Sequence, residues 1–153
     1  MSGNKSRDKG QRGEREIIAF LQPIVNEVFG NFRKEAPILQ RNQLQTDRGG
    51  SDIIATDQFG EAKAIRWLAA EVKWCETFAL EAWWKQCVKQ ANTSQTPVLF
   101  YKRNNVQWRV RMGGACFDPI NGCTVYSIGI VDISLELFGV YFKQRMDSIL
   151  GLP

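Results

Sequence analysis

The sequence contains no histidine, which removes several kinds of catalytic and metal-binding site at once. Without an imidazole the chain cannot form a Ser-His-Asp triad or a mixed cysteine–histidine zinc site. Cysteine is also sparse, and its four residues show no Cys-x-x-Cys spacing: Cys75, Cys87, Cys116 and Cys123. A zinc site built from all four is the alternative, but their spacing is unlike that of a zinc ribbon. We therefore predict reduced, mostly buried thiols.

Long apolar runs are absent as well. No stretch approaches the roughly 20 apolar residues that a membrane span needs, and the N-terminus lacks the apolar core of a signal peptide. Hydrophobic residues make up 44% of the 153 residues and charged residues 24%, which is the balance of one ordinary globular domain. We expect a cytoplasmic protein with no membrane partner.

Acidic residues are the minority among the charges. The chain has 16 Asp and Glu against 20 Lys and Arg, a net charge of +4 that is compatible with a polyanionic partner. The excess is concentrated near the start of the chain, at Lys5, Arg7, Lys9, Arg12 and Arg15. Because this segment lacks apolar periodicity, we predict a flexible basic arm over residues 1–10 and a single domain over residues 11–153. The arm either follows a polyanion or only keeps the terminus solvated.

Two carboxylates and one lysine stand at spacings that suit a metal-dependent reaction. Asp52 opens a short apolar run, and Glu71, Val72 and Lys73 end another. Successive side chains of a strand point to opposite faces, so Glu71 and Lys73 share one face while Val72 points into apolar packing. Asp52 from a neighbouring strand then completes a divalent-cation site, and hard oxygen ligands suit Mg²⁺.

Such a site suits cleavage of a phosphodiester, an anion that repels nucleophiles. A cation between Asp52 and Glu71 polarises the phosphoryl oxygen and lowers the pKa of a bound water, while Lys73 orients that water and offsets developing charge. The alternative is that these are solvated surface residues, because Glu-x-Lys alone is common. The apolar neighbours at 53–54 and 68–70 indicate buried strands, where charges are rarely placed without a partner, and they favour a nuclease. The lack of histidine excludes HNH-type nucleases.

An amphipathic helix is predicted between residues 11 and 29, where apolar residues recur at spacings of three and four. Pro23 should kink or break it. Glu14 extends the buried stripe, so its carboxylate is predicted to point inward, where it would join a metal site. From the helix alone we prefer the other interpretation, in which the acid offsets the helix dipole in the first turn.

Short strands are predicted before the Glu71-x-Lys73 motif, at 36–45 and 52–55. The segment 46–51 between them is a turn rich in glycine and polar residues, whose backbone can approach phosphate closely. A second turn is predicted at 57–60.

A central helix is predicted over residues 77–91. Trp83 and Trp84 most simply belong to the core. Lys85 and Lys89, with Gln86 and Gln90, form a polar side that either meets phosphates or is merely solvated.

The rest of the chain predicts strands and one closing helix. Residues 97–101 and 106–110 are expected to form a hairpin around 103–105. A strand follows over 123–130, and a helix runs from 133 to about 146.

These motifs, in this order, resemble the PD-(D/E)XK nuclease superfamily, and within it the archaeal-type Holliday junction resolvases. Residues 9–17, Lys-Gly-Gln-Arg-Gly-Glu-Arg-Glu-Ile, look like the opening motif of that family, and residues 96–109 look like its later strand pair. The resemblance implies an α/β fold with a restriction-endonuclease-like core, a central mixed β-sheet flanked by helices. Residues 113–153 have no counterpart in that family.

The resemblance also implies a set of site residues. Glu14, Asp52 and Glu71 would arrange metal and water, with the backbone carbonyl of Val72 as a further metal ligand and Lys73 as the catalytic lysine. Mg²⁺ is the expected cofactor, and Mn²⁺ is expected to substitute. The residues expected to contact DNA are basic or polar: Lys9, Arg12, Arg15, Arg41, Arg48, Ser51, Lys85 and Lys89.

We therefore predict a magnesium-dependent endonuclease that acts as a homodimer on four-way junctions or other branched DNA, in a prokaryotic or viral protein working in a host cell. One alternative is another role on the same fold, as a nicking, restriction-like or exonucleolytic repair enzyme. The other is a catalytically idle DNA-binding subunit, which the intact acids and lysine disfavour.

Overall fold

The computed structural model contains both helices and strands. It describes the backbone of residues 2–43, 50–56, 60–117 and 124–151, and the side chains of residues 5–43, 50–56, 60–113 and 129–151. The elements are, in chain order, α1 (Ser2–Asn31), β1 (Ile38–Arg41), β2 (Ile53–Thr56), a 3₁₀ helix (Glu61–Ala64), β3 (Leu68–Trp74), α2 (Leu80–Gln90), β4 (Thr96–Lys102), β5 (Arg109–Phe117), β6 (Thr124–Ser134) and α3 (Leu135–Gly151).

The strands form a four-stranded sheet, ordered β3-β4-β5-β6, and a smaller antiparallel pair, β1-β2. β3 and β4 are parallel, and the other neighbours in the larger sheet are antiparallel. A parallel pair needs a crossover connection, and α2 supplies it. The predicted fold class, a mixed sheet flanked by helices, is confirmed.

Helices cover both faces of the larger sheet. The main core lies between the sheet and the helices α1 and α3, and its fully buried side chains include Leu21, Val25, Phe100, Phe138 and Phe142. A smaller cluster lies under α2 and consists of Trp84, Cys87, Leu99 and Tyr101. Glu71 is removed from water even though β3 is an edge strand of this sheet.

Helix α1 begins at Ser2, so the predicted start at Gln11 is wrong, and the basic segment belongs to a helix rather than to a flexible arm. Contacts with the end of β3 and the connection after it hold this segment: Lys9 Nζ lies 3.1 Å from Glu76, and the Arg12 guanidinium lies 5.2 Å from the centre of the Trp74 ring. Each residue that extends an existing helix adds one backbone hydrogen bond. The helix can therefore continue back to Ser2 once these contacts anchor its first turns. The predicted break at Pro23 does not occur, although proline removes one helical hydrogen bond.

Several element boundaries also differ from the prediction. β5 begins at Arg109 rather than near Val106, because Asn105 takes a left-handed φ of 58° and Val106 is exposed. α3 continues to Gly151, past the end predicted near Met146, since Ile149 and Leu150 still pack against the core. The predicted turn residues 46–49 and 57–59, and Cys123, lie outside the described residues.

Glu16 ties α1 to the end of the sheet, a role that the sequence did not suggest. Its carboxylate accepts hydrogen bonds from Lys102 Nζ at 2.8 Å and Trp108 Nε1 at 3.0 Å. Burial acts to raise the pKa of this carboxyl, but the hydrogen bonds and the cationic charge of Lys102 outweigh it, so the pKa lies below its usual 4.5.

This lowered pKa predicts an acid-dependent loss of stability. A carboxyl with a depressed folded-state pKa contributes stability that is present above the unfolded-state value and is lost as the pH falls through the folded-state value. A Glu16→Gln variant should therefore be about 1 kcal/mol less stable than wild type at pH 7, and the difference should shrink below pH 4.5. Urea denaturation between pH 2 and 7 measures both quantities, and a constant difference across that range would contradict the assignment.

Candidate active site

A cleft of about 410 Å³ opens at the edge of β3, between α1 and α2. One face of α1 forms the first wall with Ser6, Gly10 and Glu14, which follow one another at intervals of four. Gln86 and Gln90 of α2 form the opposite wall. The residues between the walls are Asp52, Glu71, Val72, Lys73, Trp74 and Cys75.

The backbone around Asp52 fixes this carboxylate against β3. The Asp52 amide donates to the carbonyl of Ala70 at 2.7 Å, and its side-chain Oδ2 accepts from the Val72 amide at 2.6 Å. Gly50 precedes it with a φ of 114°, a conformation that glycine adopts without strain. Only 6% of Asp52 remains exposed. The acid is therefore held in one place by the edge of the sheet.

Glu71 is even more deeply buried, at 2% exposure, and has partners from two directions. Its Oε1 lies 2.6 Å from Lys73 Nζ, which confirms that the two side chains share one face of β3. The Gln90 amide, with its nitrogen turned toward the carboxylate, donates to Oε2 at 2.7 Å and to the Gly50 carbonyl at 3.3 Å. In the same orientation its oxygen accepts from Gln86.

Gln90 is the residue that sequence reasoning missed. The spacing of Gln86 and Gln90 placed them on the polar side of the central helix, and that side was assigned to DNA or solvent. Gln90 instead reaches the buried Glu71, because α2 packs against the sheet, while Lys85, Gln86 and Lys89 stay exposed. No periodicity within the helix distinguishes a side that meets solvent from one that meets a buried acid.

The site is rich in negative charge. Two buried carboxylates, Asp52 and Glu71, face one lysine, and their effect reaches a neighbouring thiol. Burial, followed by the charges of Glu71 and Asp52, raises the pKa of Cys87 to about 12, so this thiol stays protonated. Buried like charges need further compensation. Their oxygen atoms are the hard donors that a divalent cation prefers, so the residues present fit such an ion.

The structure does not bring Glu14 into a cluster with the two buried acids. Among the described residues, no three His, Cys, Asp or Glu side chains lie close enough to hold one metal ion. Glu14 lies on the wall of the cleft, where it forms an ion pair with Arg41 of β1. Its position depends on Gly13, since a Cβ there would lie 3.1 Å from the Trp108 ring and 3.3 Å from Val72.

The remaining residues predicted to contact DNA occupy different places. Arg12, Arg15, Lys85 and Lys89 are exposed on α1 and α2, on both sides of the cleft. Lys9 and Arg41 are engaged in ion pairs with Glu76 and Glu14. The Ser51 hydroxyl donates to the Ile53 carbonyl and accepts from the Ala70 amide, so it secures the approach to Asp52 rather than facing the cleft. Arg48 lies outside the described residues.

A pair of buried acids and a lysine at the edge of a mixed sheet, between two helices, defines the PD-(D/E)XK class of nucleases. A family model described as "Phage putative PDDEXK endonuclease" matches residues 5–117, and the chain belongs to this family. Nucleases of this superfamily usually use divalent metal ions. A search of curated proteins gave no match. The family match includes every residue that lines the cleft and ends before β6 and α3.

Within the part of the chain that the structure describes, none of the helices combines the length and apolar character that crossing a bilayer requires.

Proposed function

We propose that this chain is a metal-dependent endonuclease that hydrolyses DNA phosphodiester bonds in the cleft beside β3. The observation that carries the proposal is the convergence of Asp52, Glu71 and Lys73 on one cleft, with both acids almost completely buried. Burying two acids is costly, and a purely structural role gives no reason for it. A site that binds a cation and an anionic substrate gives a reason for burying both acids.

Asp52 and Glu71 are the side chains proposed to hold the metal, with Mg²⁺ as the physiological ion and Mn²⁺ as a substitute. The Val72 carbonyl is the third proposed ligand. The Val72 amide donates to Asp52, and the amide and carbonyl of one strand residue point to the same edge. The Val72 carbonyl therefore faces the side of β3 where Asp52 lies. Glu14, held by its ion pair with Arg41, is proposed to orient water.

A divalent ion bound here would polarise the phosphoryl oxygen and make a water molecule more acidic. The other contributions come from the chain itself. Lys73 forms an ion pair with Glu71. Its ammonium orients the attacking water and offsets the negative charge that develops on phosphorus. The Val72 amide keeps Asp52 from rotating away, and Gln90 does the same for Glu71.

Removing the Gln90 side chain tests this support directly. Groups that orient metal ligands typically contribute about 10- to 100-fold in metal affinity or activity. Gln90→Ala should therefore raise the Mg²⁺ concentration needed for half-maximal cleavage by about tenfold or more. Gln86→Ala should have a smaller effect, because Gln86 reaches Glu71 only through Gln90. Equal metal dependence in wild type and Gln90→Ala would contradict the proposed role.

Branched DNA, and the four-way junction in particular, is the proposed substrate. Support comes from the likeness of residues 9–17, Asp52 and Glu71-x-Lys73 to the junction resolvases in their order along the chain. Exposed cations on both sides of the cleft, at Arg12, Arg15, Lys85 and Lys89, suit backbone phosphates, so binding should weaken steeply with salt.

A homodimer is part of the same proposal, since two sites at a fixed separation cut two strands symmetrically. The exposed apolar residues Leu137 and Val140, three apart on α3, offer contact area. Trp84 of the central helix does not, because it is buried against the sheet. We propose the cytoplasm of a host cell as the site of action, and the match to a phage family supports this proposal.

A cleavage assay with Mg²⁺ tests the substrate. It compares a synthetic four-way junction, a flap, a linear duplex and a single strand. Paired symmetric nicks in the junction alone would establish a resolvase, whereas cutting of the other substrates would keep the nuclease and discard the junction preference. If no substrate is cut, the chain is a DNA-binding subunit. A sedimentation measurement that gives a monomer would argue against symmetric junction cutting.

A further inference from the structure

An exposed aromatic patch lies at the end of β3, outside the cleft described above. Phe78, in the connection from β3 to α2, is 40% exposed. Its ring meets Trp83 and Tyr101 edge-on, with ring centres 5.4 Å and 5.6 Å apart. The exposed Arg103 guanidinium lies over the same ring, 4.7 Å from its centre. We call Phe78, Trp83 and Arg103 the aromatic patch.

The sheet register places this patch next to the catalytic lysine. Lys73 pairs with Tyr101 on β4, and Tyr101 pairs with Arg109 on β5. Side chains of paired residues point to the same face, so all three form one row across the sheet, with neighbours about 4.8 Å apart. Phe78 packs on the middle member of this row. The patch therefore lies one strand away from Lys73, on the face that carries the cleft.

The charges around the patch select for a polyanion. Arg103 lies on Phe78, and Arg109, also exposed, follows Tyr101 in the row and donates to the Asp132 carbonyl. The nearby acids Glu81 and Asp132 are both paired with Arg111. An aromatic ring with an arginine on it is a surface on which nucleobases stack, while nearby arginines meet the phosphates. An apolar protein partner would not need two exposed guanidinium groups. A base that is paired within a duplex already has neighbours on both faces, so only an unpaired base is free to use the patch.

We propose that the aromatic patch is a stacking site for an unpaired nucleobase of the strand bound at Lys73. This inference rests on the proposed nuclease function and narrows its substrate to DNA with at least one unpaired nucleotide beside the cut. A flap, a single strand or an opened branch point provides such a nucleotide, and an unbroken duplex does not.

Binding measurements test the proposal without relying on cleavage. The full chain carries Asp52→Asn, and fluorescence anisotropy gives its affinity for a single-stranded oligonucleotide and for a duplex of the same sequence. Phe78→Leu should weaken single-strand binding by about tenfold, within the range of one lost base–aromatic stack, and leave duplex binding unchanged. Phe78→Tyr keeps the ring and should restore affinity. Ile38→Ala, at an exposed position on β1, should change neither.

An abasic site identifies the stacked base. When it replaces the nucleotide that occupies the patch, wild type and Phe78→Leu should bind equally well. An equal loss for single strand and duplex, or no loss for either, would overturn the stacking site, as would a change in the protein's mass in solution without a change in DNA binding. A single-strand-specific loss in a protein that cuts no substrate would keep the stacking site and reject the nuclease.

Discussion

Asp52→Asn is expected to reduce the cleavage rate by at least about a hundredfold while leaving DNA binding intact. The substitution removes one charge and almost no volume, and the asparagine oxygen can still accept the hydrogen bond from the Val72 amide. The position of the side chain is thus preserved and its affinity for a divalent ion is lost. Binding persists because affinity for DNA comes mainly from phosphate contacts elsewhere on the surface.

The result has meaning only if the variant is folded and the substrate is bound. Thermal denaturation checks the first condition, and gel-shift titration checks the second. Lys73→Ala, which removes the ammonium 2.6 Å from Glu71, should also abolish cutting. Lys85→Ala on the exposed side of α2 should change only binding. If Asp52→Asn cut DNA at the wild-type rate, the site assignment would be wrong.

Phe138→Ala should lower the free energy of unfolding by about 3–5 kcal/mol, a large part of the stability of a typical domain. Phe138 is fully buried on α3, with ring centres 5.1 Å from Phe100 and 5.9 Å from Phe142. The family match ends at residue 117, before this helix. Phe100, however, lies on β4 in the middle of the sheet, so α3 contributes to the same core as the candidate site.

Phe78→Ala is the matched control, because it deletes the same atoms from an exposed position and should cost much less. Urea denaturation followed by tryptophan fluorescence measures both variants. A single unfolding transition that shifts for Phe138→Ala would support one domain over residues 11–153. Two transitions, of which only one shifts, would show that α3 forms a separate unit.

The sequence was most informative where a pattern depends on chain neighbours alone. Strand alternation in β3 correctly placed Glu71 and Lys73 on one face and Val72 on the other, because the backbone geometry of a strand requires it. The apolar neighbours of Asp52 and Glu71 correctly indicated burial of both acids. The order of motifs gave the superfamily, which the family match bears out.

The sequence was least informative where the role of a residue depends on which residues pack against it. The basic N-terminal segment has no apolar periodicity, yet it is helical, held by contacts such as Lys9 with Glu76, 67 residues away in the chain. Arg41, predicted to meet DNA, pairs with Glu14, and Gln90, assigned to a polar side, supports Glu71. In each case the partner is distant in sequence, and no local pattern predicts the contact.

The sequence by itself therefore predicted the fold class, through an order of motifs that resembles the superfamily, and placed Glu71 and Lys73 on one face of β3, because strand alternation requires it. Only the tertiary structure decided that Asp52 meets β3 through the Val72 amide, that Glu14 is neutralised by Arg41, and that Phe78 lies beside the row that begins at Lys73. The physical reason is that these contacts arise when α1, α2 and the sheet pack together, and packing joins residues that are far apart along the chain.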